Sequence, residues 1–109
     1  MKQWDIVLYS FENEQPHPVV ILTPDERLAR PVGAINGLMC VSLRAARPLR
    51  EWEVMLNSAD GLDWQTACRC DFVYALDRGS FREQRGRVSR TRQAAIARRV
   101  REFFRLNLS

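Results

Sequence analysis

Long apolar runs are missing from this chain. Its longest hydrophobic stretches span only a handful of residues, far short of the ~20 that a membrane-spanning helix requires. The opening Met1-Lys2-Gln3-Trp4-Asp5 meets an acid at once and lacks the apolar segment of a secretory signal, so a cytoplasmic protein without membrane contact is expected. Lysine is nearly absent, Lys2 being the only non-arginine among 17 basic residues, and histidine occurs once, at His17. Cysteine is scarce and odd in number: Cys40, Cys68 and Cys70 cannot form a disulfide framework. With one distant histidine they also fall short of a plausible four-ligand zinc site, so buried reduced thiols, no metal and no cofactor are expected. No repeat, linker or low-complexity segment interrupts the 109 residues, which read as a single domain over 1–109.

What the chain does contain is an ordinary globular mixture, 46% apolar and 28% charged, with an uneven charge distribution. From Phe81 onward nine arginines meet only Glu83 and Glu102, so this stretch carries +7 while the first 80 residues carry −3. A basic stripe of that kind suits RNA or an acidic protein partner.

Short β-rich segments dominate. Residues 4–11 alternate loosely, and 18–23 form a nearly continuous β-branched run expected to be buried on both faces. Pro16 and Pro18 hold His17 extended between them. The segment 24–31 allows at most one helical turn. Strand character returns over 35–43, again over 51–56 after a basic loop, and over 67–76 with a break near Asp71. A last strand, 81–88, bends at Gly86. Ser89 then serves as N-cap to a helix reaching Leu106, with Ile96, Val100 and Phe103, and Phe104 beside them, toward the core. Trp4, Trp52 and Trp64 are expected as core or interface anchors. Five to seven strands and one C-terminal α-helix make a mainly β protein, a small barrel or half-barrel capped by the helix.

Five short motifs, in order, resemble the MazF/PemK toxins, which are built on an SH3-like β-barrel. Asp5-Ile6-Val7-Leu8 resembles the family's Gly-Asp-Ile-Val strand, with Trp4 where glycine is usual. His17-Pro18-Val19-Val20-Ile21-Leu22-Thr23-Pro24 resembles Arg-Pro-Val-Val-Val-Leu-Ser-Pro. Met39-Cys40-Val41-Ser42 stands where a strand ends in Pro-x-Thr. Cys70-Asp71-Phe72-Val73-Tyr74-Ala75-Leu76 is similar to Ala-Asp-Gln-Val-x-x-Leu, and Gly86-Arg87-Val88-Ser89 to Gly-x-Leu-Ser. The resemblance implies a type II toxin that cuts single-stranded RNA without metal, leaving 2′,3′-cyclic phosphate and 5′-hydroxyl ends. It also implies a homodimer and a cognate antitoxin with an acidic tail.

Carried over residue by residue, the resemblance puts His17 and Ser42 where the family's arginine and threonine surround the scissile phosphate. A histidine can act as acid or base near neutrality, its unperturbed pKa being about 6.5. Glu14 is the candidate base or the group that orients His17, and Ser42 offers a hydroxyl to a phosphoryl oxygen. Arg44 and Arg47 in the following loop, with Arg27, are the candidate RNA-binding residues. Two alternatives stay open: a CcdB-like toxin of the same fold acting on a protein such as DNA gyrase, and a catalytically inactive RNA-binding relative.

Overall fold

The computed structural model describes residues 1–12 and 14–108. Seven strands run in order: β1 (Asp5–Tyr9), β2 (His17–Ile21), β3 (Ile35–Ser42), β4 (Glu53–Leu56), β5 (Thr66–Arg69), β6 (Tyr74–Leu76) and β7 (Phe81–Arg87). Helix α1 (Asp25–Leu28) is a single turn, and α2 (Arg90–Phe103) closes the fold. All pairings are antiparallel in the spatial order β4-β5-β3-β2-β1-β7, with β6 on β3. The sheet does not close along this path, so the mainly β class holds as an open half-barrel capped by α2. No helix of the described residues is long and apolar enough to cross a membrane.

Successive side chains of a strand point to opposite faces, and both faces of this sheet are covered. Ile6, Val20, Leu38 and Cys40 pack on one side with Leu56, Val88 and Ile96. Val7, Tyr9, Val19 and Ile21 face the other side with Ile35 and Leu76. The 18–23 run is therefore continuous in apolar residues for the expected reason, burial on both sides. Cys40, Cys68 and Cys70 are free thiols inside the first cluster. Hydrogen bonds with Cys40 and Cys70, together with burial, hold the Cys68 thiol well above its ordinary range.

The 67–76 segment is two strands. Cys40 pairs with Cys68, but Gly37 pairs with Tyr74, so chain bulges out between β5 and β6 and leaves Phe72 exposed. A second irregularity lies on β7: Ile6 pairs with Gly86 and Val7 with Gln84, leaving Arg85 as the extra residue of a β-bulge. Gly86 is needed for contact rather than for a bend, because a Cβ there would come within 2.1 Å of the Asp60 carbonyl oxygen. Trp4, standing where the resembled family has glycine, adopts φ +74, a left-handed conformation that non-glycine residues occupy at a cost. Its ring packs on the core while its backbone bridges β2, through Ile21, and the link between β7 and α2, through Val88.

Helix α2 departs from expectation at both ends. Ser89 stands at the N-cap, yet its side chain makes no capping bond. Instead its N–H donates to Asp60 Oδ1 at 2.8 Å. The helix ends at Phe103 rather than Leu106, and only Ile96 is fully buried. Phe103 and Phe104 are 53% and 42% exposed rather than in the core, because the helix outruns the sheet it packs on.

Asp60 is buried, and its Oδ2 also accepts the Asn57 N–H at 2.9 Å. Truncating it strands two backbone donors and Arg92, so Asp60→Ala should lose about 3 kcal/mol of stability in urea unfolding. Gly86→Ala, which drives Cβ into rigid backbone, should also destabilise by more than about 1 kcal/mol. A variant pair as stable as the wild type would show that this junction does not hold the fold.

Candidate nucleic-acid cleft

A cleft of about 320 Å³ opens where β1 and β3 end and β2 begins, on the Ile6–Val20–Leu38 side of the sheet. Its volume lies within the range of small-ligand sites. Strand alternation brings Leu8, Pro18 and Ser42 to this side, in phase with Ile6, Val20 and Cys40. The loop before β5 supplies Asp63 and Trp64, and β5 supplies Thr66, whose hydroxyl donates to the Trp64 carbonyl at 2.9 Å. Arg44, just beyond β3, lays its guanidinium carbon 4.6 Å from the centre of the Trp64 ring. The bulge on β7 brings Arg85 into the same lining. Two arginines and two hydroxyls thus meet one carboxylate in an open cleft with an exposed indole. That combination suits a phosphodiester flanked by an unpaired base.

His17 occupies a different position. Pro16 and Pro18 on either side of it both line the cleft, but His17 is one strand residue out of phase with Pro18 and shares the face of Val19 and Ile21. It opposes Tyr9 of β1, and its ring centre lies 5.8 Å from that of Phe11. Its Nε2 is 3.6 Å from Oε2 of Glu14. Phe11 in turn meets Tyr74, which meets the exposed Phe72 at 4.6 Å. The structure therefore brings Glu14 and His17 together on one face of the start of β2, and Ser42 and Arg44 together on the other.

The remaining two sequence candidates lie elsewhere. Arg47 donates to both carboxylate oxygens of Glu53, at 2.8 and 2.9 Å, and also to the Pro48 carbonyl. Its guanidinium is committed to the fold. Arg27 sits in α1, beyond the far end of β2 from the cleft, on a separate hollow with Arg30 and Arg78. Arg85, Trp64 and Thr66 join the cleft through the fold, outside the sequence candidates. Only Arg85 had a local signal, the glycine that follows it at a strand irregularity. Among the described residues no three His, Cys, Asp or Glu side chains gather so as to hold a metal ion.

Residues 2–104 match the family described as PemK-like, MazF-like toxin of type II toxin-antitoxin system. Against curated protein sequences the chain has no match. Among solved structures it is similar to the Mycobacterium tuberculosis toxin MazF-mt6, at 19% identity and TM-score 0.78, over 95% of this chain and 99% of that one. It is also similar to an endoribonuclease in complex with its cognate antitoxin from Mycobacterial species, at 13% identity and TM-score 0.81, over 100% and 99%. A further endoribonuclease from Mycobacterial species aligns at 14% identity and TM-score 0.75, over 100% and 95%. At these identities the structural likeness establishes the fold.

The Arg47–Glu53 pair has a measurable signature. Hydrogen bonds from Arg47, helped by the Arg50 N–H and opposed by burial, hold the Glu53 carboxyl below its ordinary value of 4.5. Its contribution to stability is complete above that value and is lost as the pH falls through the lower, folded one. Glu53→Gln should therefore melt below the wild type at neutral pH but lose less on acidification from about pH 5 to about pH 3. Parallel melting curves over that range would remove Glu53 from the acid response.

Proposed function

Taking as premise that the chain belongs to the PemK-like, MazF-like toxins of type II toxin–antitoxin systems, we propose that it is an endoribonuclease cutting single-stranded RNA at the cleft beside Ser42. The observation that carries this is the convergence of Ser42, Arg44 and Arg85 around an open cleft that also presents the Trp64 indole. In this scheme Arg44 and Arg85 bind the phosphodiester charge, the Ser42 hydroxyl donates to a phosphoryl oxygen, and Trp64 stacks an unpaired base.

The His17–Glu14 pair supplies proton transfer. Because β2 begins at His17, no further strand residue walls one face from the other there. An RNA backbone turning around the Pro16–Pro18 edge can therefore meet the arginines on one side and the imidazole on the other. The 2′-hydroxyl loses its proton and attacks the adjacent phosphorus, and the 5′-oxygen leaves as its bond to phosphorus breaks and takes up a proton. The products are a 2′,3′-cyclic phosphate and a 5′-hydroxyl. The imidazole, oriented by Glu14, mediates one or both proton movements. Arg47 and Arg27 have no part in this scheme.

The same reading includes a homodimer acting in the cytoplasm and a cognate antitoxin whose acidic tail covers the basic cleft. One structural neighbour is itself an endoribonuclease bound to its cognate antitoxin.

Two variants test the assignment against a long single-stranded RNA. Ser42→Ala should slow cleavage roughly 10²-fold by removing one phosphoryl donor. His17→Ala should slow it at least about 10²-fold while leaving affinity for a non-cleavable 2′-deoxy analogue and the melting temperature unchanged. Full activity in His17→Ala would remove the histidine from the chemistry. Retention of RNA by the wild type without any cutting would instead indicate a binding protein. Affinity for the analogue should also fall as salt rises, since phosphate contacts release counterions.

A further inference from the structure

Three thiols lie beneath the cleft, outside the cleavage chemistry. Cys40, Cys68 and Cys70 belong to the face of the sheet that carries Ser42 and Thr66, one alternate position further along β3 and β5. Strand register decides how close they come. The Leu43 N–H donates to the Gln65 carbonyl at 2.7 Å, which makes those two residues a hydrogen-bonded pair. Hydrogen-bonded and open pairs alternate along an antiparallel ladder. Ser42–Thr66 and Cys40–Cys68 stand one and three steps from Leu43–Gln65, so both are open pairs. Open pairs hold their Cα atoms about 4.5 Å apart with the side chains turned toward each other, inside the span that a disulfide bridges.

Cys68 sits between the other two thiols and is hydrogen-bonded to both. Cys70 follows the end of β5 and is the most acidic of the couple it forms with Cys68. The hydrogen bond from Cys68 and the charge of Arg99, opposed by burial, hold its thiol below the ordinary value. None of the three is exposed to solvent. Only a small oxidant reaches them, through local opening where β5 ends.

We propose that Cys40, Cys68 and Cys70 form an oxidative modification site, at which hydrogen peroxide installs a Cys40–Cys68 disulfide that ties β3 to β5 under the cleft. The Cys70 thiolate attacks peroxide, the O–O bond breaks, and Cys70 sulfenic acid and hydroxide result. The Cys68 sulfur gives up its proton, attacks Cys70 and expels the sulfenic oxygen as water. Cys40 gives up its proton and attacks Cys68, the Cys68–Cys70 bond breaks, and Cys70 leaves as the thiol. Two thiols have then lost two electrons, and one peroxide has become two waters. Directly opposed Cβ atoms stand about 4.5–5.5 Å apart, against about 3.8 Å in a disulfide. The bridge therefore draws in the neighbouring Ser42–Thr66 pair, and misplacement on that scale is costly to catalysis. The effect on cleavage rests on the nuclease reading, whereas the bridge itself does not.

Arg44 and Arg69 separate the three cysteines, so trypsin leaves each on its own peptide. The full chain is treated with hydrogen peroxide, alkylated and digested without reductant. Mass spectrometry should show the Cys40 and Cys68 peptides joined and Cys70 alkylated, with all three alkylated after dithiothreitol. The bridged chain should cut single-stranded RNA at least tenfold more slowly and recover on reduction. Cys40→Ala should stop at a Cys68–Cys70 link and keep its cleavage rate, and Cys70→Ala should bridge at least tenfold more slowly. In nitrogen-15 NMR the Ser42 and Thr66 amide signals should move on oxidation. Three free thiols after peroxide, a link between two chains, irreversible sulfonic products or a final Cys68–Cys70 link in the wild type would each overturn the site. Unchanged bridging in Cys70→Ala would remove Cys70 as the point of entry. Unmoved Ser42 and Thr66 signals in a bridged chain, or full cleavage by it, would overturn the coupling to the cleft. A reduced chain that cuts no RNA counts against the nuclease reading alone, and the peptide map and the two amide signals still decide the bridge.

Discussion

A single buried carboxylate joins three parts of this protein that the sheet alone would leave apart. Asp60 accepts the N–H of Asn57 after β4 and the N–H of Ser89 at the start of α2, and it faces Arg92 one turn further along the helix. Its own carbonyl lies against Gly86 of β7, so closely that no side chain fits between them. The two edges of the open sheet and the helix that caps it therefore meet at one residue. With no β4–β7 pairing to close the barrel, this polar junction does the work that ladder hydrogen bonds do elsewhere. The junction also fixes the cleft, because Leu62, Asp63 and Trp64 follow the Asp60 turn directly and Arg85 precedes Gly86.

Strand phase then decides which residues can share a site. Pro16 and Pro18 face the cleft, and His17 between them faces the aromatic cluster of Phe11 and Tyr9. A bulge is the local means of changing that phase, and β7 uses one at Arg85. One extra residue there supplies a cation to the cleft in addition to Arg44.

The arginines divide into two populations with different work. Arg47 holds buried Glu53, and Arg78 donates to four carbonyls of α1 and the segment that follows it. Arg87 pairs with buried Asp5, while Arg92 and Arg99 cap the β4 edge. Planar guanidinium groups with several fixed donors suit such multiple bonding, which lysine could not match. The near absence of lysine is consistent with this use. Arg44 and Arg85 line the cleft instead, Arg85 lying also 3.3 Å from the exposed Glu83 carboxylate. The uneven charge of the chain is thus an inventory from which contacts select the arginines that brace the fold and those that line the cleft.

By itself the sequence determined the alternation of short strands, the doubly buried run before Leu22, the terminal helix and the buried free thiols of the core. Each follows from local periodicity or from what a side chain tolerates. It also marked Ser42 and Arg44, which are close in the chain and stay close in space. It also marked the break near Asp71 that separates β5 from β6. It could not tell which arginines brace the backbone and the buried acids, or seat Trp64 and Arg85 beside Ser42. Those outcomes depend on register shifts and on packing between residues far apart in the chain. Local pattern fixes which way each strand faces only up to the next bulge. Tertiary structure decided where the bulges fall, and with them which charged side chains reach the cleft.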